Sequence, residues 1–167
     1  MTVSMIYAAD LNGGIGYNNG LPWPHLECDM KWFKRHTEGN IVVMGSTTWK
    51  SLPSKLPGRI NVVLSREEIE GPDHVMRGTP EEVLKQIRDL YPGKNISIIG
   101  GGLVYDQYSI FCDQIHTTLV QDKYAADTFY DIHPMLMQGY KVTERIEVPE
   151  TPFTPGVVMR TWQHPIQ

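Results

Sequence analysis

Asp29 is the residue in this 167-residue chain best placed to handle a proton. A helix predicted over His25 to Thr37 puts Leu26, Asp29, Met30 and Phe33 at three- and four-residue steps, so a carboxylate lies on a stripe that should be apolar. A lone acid there is costly unless it is partnered or used. Just ahead of it runs Gly14-Ile15-Gly16-Tyr17-Asn18-Asn19-Gly20-Leu21-Pro22-Trp23, whose glycines can flex while Pro22-Trp23 supplies a rigid aromatic wall. Closing such a loop would exclude water and raise the Asp29 pKa, giving a proton donor beneath a lid. The plainer alternative is a partly buried acid satisfied by a hydroxyl or water, or a helix that begins a residue or two away from the expected boundary.

Two further segments could hold an anion. Ile96-Ser97-Ile98-Ile99 runs into Gly100-Gly101-Gly102 and then Leu103-Val104-Tyr105, a strand, a glycine turn and a helix start. Glycines let backbone amides approach a pyrophosphate, and a helix start adds partial positive charge. Ile41-Val42-Val43-Met44-Gly45 makes a similar transition into Ser46-Thr47-Thr48-Trp49, where capping by Ser46 or Thr47 is the structural explanation. Neither turn carries the usual GxGxxG fingerprint. Two such turns at the C-terminal ends of parallel strands are nevertheless explained more economically by one ligand spanning both.

The elements that must position these residues alternate along the chain. Strands are predicted over Val3 to Ala9, Ile41 to Met44, Ile60 to Leu64, His74 to Met76, Ile96 to Ile99 and Ile115 to Val120. Helices are predicted over His25 to Thr37, Thr47 to Leu52, Pro80 to Leu90 and Leu103 to Tyr108. This alternation gives an α/β domain with a largely parallel central sheet. Tyr140 to Val148 and Val157 to Trp162 have no crossover helix between them, only a loop with Pro149, Pro152, Pro155 and Gly156, so they are expected to pair antiparallel at the sheet edge.

Composition narrows the partners. Fifteen Lys and Arg against 19 Asp and Glu give a net charge of −4, with no basic run to track a phosphate backbone, so nucleic acid is not expected. No apolar run reaches membrane-spanning length, and the N-terminus reads as a first strand rather than a leader. Cys28 and Cys112 are the two cysteines, which fits reduced thiols in the cytoplasm. His116, His133 and His164 have no metal-ligand spacing with acids or cysteines, so no metal is expected. The length fits one domain, taken as residues 1–167, and a monomer is the simplest assembly.

With these segments in hand, the chain resembles dihydrofolate reductases, in order over most of its length. The matching blocks are Ile15-Gly16 through Pro22-Trp23, Asp29 through Arg35, Val43-Met44-Gly45 with Thr48-Trp49, Leu56-Pro57-Gly58-Arg59, Val63-Leu64-Ser65-Arg66, Ile99 through Tyr105, and Asp127-Thr128. The resemblance implies one α/β domain with a mostly parallel eight-stranded sheet, a C-terminal antiparallel hairpin and about four flanking helices. It implies NADPH-dependent reduction of 7,8-dihydrofolate to tetrahydrofolate, serving one-carbon metabolism. A reductase of a related pterin or pyrimidine, or a folate- or nucleotide-binding structural protein without turnover, are the alternatives.

The same resemblance assigns roles. Asp29 matches the acid that grips the pterin and promotes protonation of N5 while hydride passes to C6, and Thr118 matches the hydroxyl that orients it. Ala8, Phe33, Leu52 and Ile99 match substrate contacts, and Arg59 matches the cation for the glutamyl α-carboxylate. Leu21 and Trp23 close the lid over the site, with Tyr105 near the junction of substrate and cofactor. For NADPH the matching positions are Ala9, Ile15, Gly45, Ser46, Thr47, Thr48, Leu64, Ser65, Arg66, Arg77, Gly100, Gly101, Gly102, Leu103, Val104 and Tyr105. Asp127 matches an acid that holds the lid. Many relatives carry basic residues where Ser46 and Thr47 stand, which leaves Arg66, helped by Arg77, to read the 2′-phosphate.

Overall fold

The computed structural model describes residues 2–165. In chain order its elements are β1 (Val3–Asp10), β2 (Gly14–Gly16), α1 (Glu27–Thr37), β3 (Ile41–Gly45), α2 (Ser46–Ser51), β4 (Ile60–Leu64), β5 (His74–Met76) and α3 (Pro80–Leu90). Then come β6 (Ile96–Gly100), α4 (Gly102–Tyr108), a 3-10 turn (Ser109–Phe111), β7 (Gln114–Val120), β8 (Thr128–Phe129), α5 (His133–Leu136), β9 (Lys141–Val148) and β10 (Val157–Gln163).

Eight strands form one sheet in the order β5-β4-β3-β6-β1-β7-β10-β9. Pairing is parallel from β5 to β7, and β10 runs antiparallel to both its neighbours. The β-branched runs explain the parallel part: Ile41, Val42, Val43, Val62, Val63, Ile96 and Ile98 are buried, as strands covered on both faces require. The expected edge hairpin forms with Val157 opposite Val148. Thr79 caps α3 through a capping box with Glu82, and Pro80 opens the helix, so this element begins where the sequence places it.

Three expectations need correction. Helix α1 starts at Glu27 rather than His25, with Leu26 at its N-cap and no side chain capping it. Its inward line is Asp29, Trp32 and His36, with Phe33 and Thr37 beside it; Met30, about 100° around the helix from Asp29, is 47% exposed. There are five α-helices among the described residues rather than about four, because His133–Leu136 closes one short turn. Strands β2 and β8 pair as a separate two-stranded ribbon, Gly14 opposite Phe129 and Gly16 opposite Thr128. Segments of two to four residues are too short to show a period. The expected domain limits reach Met1, Ile166 and Gln167, which lie outside the described residues.

Candidate active site

Because β3 and β6 are parallel neighbours, their C-terminal ends bring the Gly45 and Gly100–Gly102 turns side by side. They form the floor of a cleft of about 1330 Å³ that runs from Ile15 and Gly16 of the lid, past Gly45 to Thr48 and Gly101 to Val104, to Leu64, Ser65, Arg66 and Arg77. Gly45 is there for room: a Cβ on it would come within 3.3 Å of Val104 Cγ2. Bare backbone, the hydroxyls of Ser46, Thr47, Thr48 and Ser65 and two arginines along one elongated cleft suit a dinucleotide with phosphates at its middle and far end.

Asp29 lies on the other side of β1, held by α1 against β7. It is only 8% exposed, and Thr118, which is buried on β7 opposite Ala8 of β1, reaches it. Burial pushes the Asp29 carboxyl above its ordinary range, and the Thr118 hydroxyl and the Trp23 indole pull the other way. The buried Trp23 N–H completes no hydrogen bond of its own, so its pull is that of a nearby dipole. A carboxyl short of donors keeps an appetite for a proton.

Phe33 and Leu52 pack against buried Ile6, Val42, Met44 and Ile99, forming an apolar wall between Asp29 and the mouth of the site. At that mouth Arg59 donates from Nε to the Pro57 carbonyl at 2.9 Å and from Nη1 to Thr37 Oγ1 at 2.9 Å. Its guanidinium stands 6.0 Å from the Phe33 ring centroid, and burial lowers its pKa. Both acceptors are neutral, and the Glu38 carboxylate acts on the cation without a direct bond among these contacts.

The lid is pinned. Tyr17 and Gly20 exchange two backbone bonds of 2.9 Å, with Asn18 and Asn19 at positive φ between them, a turn that asparagine tolerates. Asp127 Oδ2 accepts the Asn18 amide at 2.8 Å, and the Asp127 amide donates to the Gly16 carbonyl at 2.9 Å. The base of the lid depends on a residue that sequence reasoning missed. Buried Asp10 accepts the Asn12 and Gly14 amides on Oδ1 and the Tyr124 amide on Oδ2, all at 2.9 Å. Its position at the end of a strand, two residues before Asn12 and four before Gly14, was the available signal.

This geometry has known counterparts. A model of the dihydrofolate reductase family matches residues 2–153. The chain belongs to the dihydrofolate reductase family. Dihydrofolate reductase of Haemophilus influenzae is 38% identical over 130 residues, 78% of this chain and 79% of that protein. The Staphylococcus aureus enzyme is 34% identical over 152 residues, 88% and 87% of the two chains. Dihydrofolate reductase from Enterococcus faecalis, solved in complex with NADP(H) and RAB-propyl, superposes with a TM-score of 0.82 at 25% identity, covering 98% of this chain and 96% of that one.

Most of the cofactor positions that the resemblance names border the long cleft: Ile15, Gly45 to Thr48, Leu64 to Arg66, Arg77 and Gly101 to Val104. Ala9 does not: its side chain is buried in the main core, because it faces away from the cleft on β1. Tyr105 does not border the cleft either. Its hydroxyl donates to the Ile6 carbonyl at 2.6 Å and lies 3.1 Å from the Ile99 carbonyl, and burial drives its pKa far up, so the ring fixes β1 to β6 below Gly100. Leu21 is 50% exposed at the lid tip, whereas Trp23 is buried under it. No group of three or more metal-ligating side chains occurs among the described residues.

Proposed function

We propose that the reduction runs over Asp29, with the substrate's pterin between that carboxyl and the Ala8–Ile99 end of the sheet and its glutamyl tail at Arg59. The activity is that of the family: 7,8-dihydrofolate, NADPH and a proton give 5,6,7,8-tetrahydrofolate and NADP⁺. The observation that carries the residue assignment is the Asp29 carboxyl, buried, raised in pKa and short of hydrogen-bond donors, beside a cleft with a glycine-lined floor.

When bound, NADPH supplies the hydride that adds to C6 of the pterin. Gly45 to Thr48 and Gly101 to Val104 would hold its pyrophosphate, Ser65 and Arg66 with Arg77 would hold its 2′-phosphate, and Ile15 would close over it from the lid. Hydride addition to a C=N bond is easier when the nitrogen carries a proton, and Asp29 makes N5 more basic by holding the pterin through its own carboxylate. Thr118 keeps that carboxyl aimed, while Trp23 and Phe33 keep water from competing for it. Asp127 closes the lid through Asn18, and Leu21 rides on the lid's tip.

Residues 1–167 act as one domain and one reductase unit, in line with the continuous sheet. Work as a monomer in the cytoplasm is supported by the net charge of −4, by free Cys28 and Cys112, and by the lack of any helix among the described residues that could cross a membrane. Consumption of NADPH with dihydrofolate, followed by absorbance, tests the function; turnover with other pterins and none with dihydrofolate would overturn it. Paired titrations of NADPH and NADH against Arg66→Ala test the phosphate assignment, since equal losses for both would remove Arg66 from that role.

A further inference from the structure

The helix that carries Asp29 is fixed to the sheet at its other end by two histidines. His36 lies seven residues after Asp29, on the same face of α1, and His116 lies two residues before Thr118, on the same face of β7. The imidazoles of His36 and His116 stack with centroids 3.8 Å apart and planes 17° from parallel. Trp32, the residue between Asp29 and His36 on that face, meets both edge-on, at 4.2 Å from His36 and 6.1 Å from His116. Asp29 with Thr118 and His36 with His116 are thus the two ends of one helix-to-strand seam, with a tryptophan filling its middle.

Three further features mark this far end as selected for contact rather than for solvation. His116 is buried, and its Nδ1 lies 2.9 Å from Thr161 Oγ1 on β10. His36 Nε2 is buried with no hydrogen-bond partner, so that nitrogen adds no bond to the contact and the stack rests on the ring face. Burial, the first cause for each, pulls the pKa of His36 down to about 4 and that of His116 down to about 3, so both rings are neutral near pH 7. The charged groups facing the pair are Arg35 of α1, tied to Glu144 of β9 by two bonds of 3.0 and 3.1 Å, and Glu38 at the end of α1. From β7 and β10 the neighbours are the neutral Gln114 and Thr161.

We infer that the His36–His116 stack is a positioning pair: by clamping the far end of the α1–β7 seam it keeps the Asp29 carboxyl against Thr118 and closed to water. A rigid helix lever of two turns separates the stack from the carboxyl, so loosening the stack lets the seam part at both ends. The inference rests on Asp29 being the carboxyl on which the reaction depends. Its test is therefore read on the free protein, where that reading plays no part.

The test follows the Asp29 carboxyl carbon by NMR across pH in the ligand-free wild type and in His36→Ala and His36→Phe. Burial is the largest influence on Asp29, so admitting water through a loosened seam moves its titration down toward the ordinary carboxylate range in His36→Ala. His36→Phe restores a flat ring without the unpartnered nitrogen; it keeps the raised titration and melts higher than wild type. The low-pH side of the hydride-transfer profile moves with the carboxyl in His36→Ala and stays in place in His36→Phe. An Asp29 titration unchanged in His36→Ala, with only the melting temperature lowered, would overturn the inference and leave the stack an ordinary packing contact. So would a shift of equal size in His36→Phe. If His36→Ala does not fold, His116→Gln, which keeps a hydrogen-bonding group at the Thr161 position, is read the same way.

Discussion

Asp10 and Asp29 are both aspartates, both buried, and stand on adjoining elements, yet the chain surrounds them in opposite ways. Asp10 spends its two oxygens on three backbone amides drawn from the lid base and the loop after β7. Asp29 has a hydroxyl and an indole near it and no backbone donor, and burial raises its pKa. An acid saturated by amides organises the backbone, whereas an acid left short of donors retains proton chemistry. Arg59 falls between the two: it donates to a neutral carbonyl and a hydroxyl, burial lowers its pKa, and the Glu38 carboxylate acts against that lowering.

Breaking Asp29 should give the largest effect. Asp29→Asn is expected to slow single-turnover hydride transfer near neutral pH by roughly 10²- to 10⁴-fold, the usual span for a positioned acid or base. Activity should recover in part at low pH, where solution protonates the substrate. The variant should also melt higher than wild type at neutral pH. The sign follows from a raised carboxyl pKa: the burial penalty is full above the folded pKa and is relieved as pH falls through it. Unchanged rates, or a lower melting temperature at neutral pH, would place Asp29 with Asp10 among the structural acids.

Arg59→Leu comes next. It should weaken dihydrofolate by about 2 to 5 kcal/mol if the tail carboxylate is left buried without its partner, while a pterin lacking the glutamyl group loses little. Calorimetric titration of both ligands checks this, and equal losses would mean a disturbed mouth rather than a lost ion pair. Asp10→Asn sharpens the other arm of the comparison. One of its oxygens becomes an NH₂ that must face an amide N–H, costing about 1 to 3 kcal/mol of stability. Denaturant unfolding should register that cost, with hydride transfer in the folded fraction reduced far less than in Asp29→Asn.

The contrast between the two acids also marks how much could be read from sequence. Asp29 was legible because helical period makes a misplaced carboxylate visible, and the two glycine turns because β-branched strands end in them. Phe33 and Arg59 were legible through resemblance. Asp10 was not, since its partners are backbone amides, which leave no side-chain pattern. The β2–β8 ribbon that carries the lid escaped for the same reason, pairing Gly14 and Gly16 with Phe129 and Thr128 across more than a hundred residues of chain. Tyr105 is a tie between Ile6 and Ile99, which a sequence does not show, because it gives a hydroxyl but not the carbonyls that bind it.

A third acid gives the smallest effect and tests whether burial or bonding makes the difference. Asp127 is exposed, and the Asn18 amide and the Thr128 hydroxyl hold its pKa below the ordinary carboxylate range. It resembles Asp10 in bonding and differs from it in burial, so its loss should leave no uncompensated group behind. Asp127→Ala is expected to leave the melting temperature unchanged within error while the Asn18 amide exchanges with solvent faster. A depressed carboxylate contributes above its unfolded pKa, and the contribution disappears as pH falls through the folded one. The exchange rates of wild type and variant should therefore differ at neutral pH and, once corrected for intrinsic exchange, converge at acid pH. Hydrogen exchange of Asn18 across pH decides it: no difference at any pH would show that the lid is held by the backbone bond from residue 127 to Gly16, which the variant keeps, and not by the carboxylate.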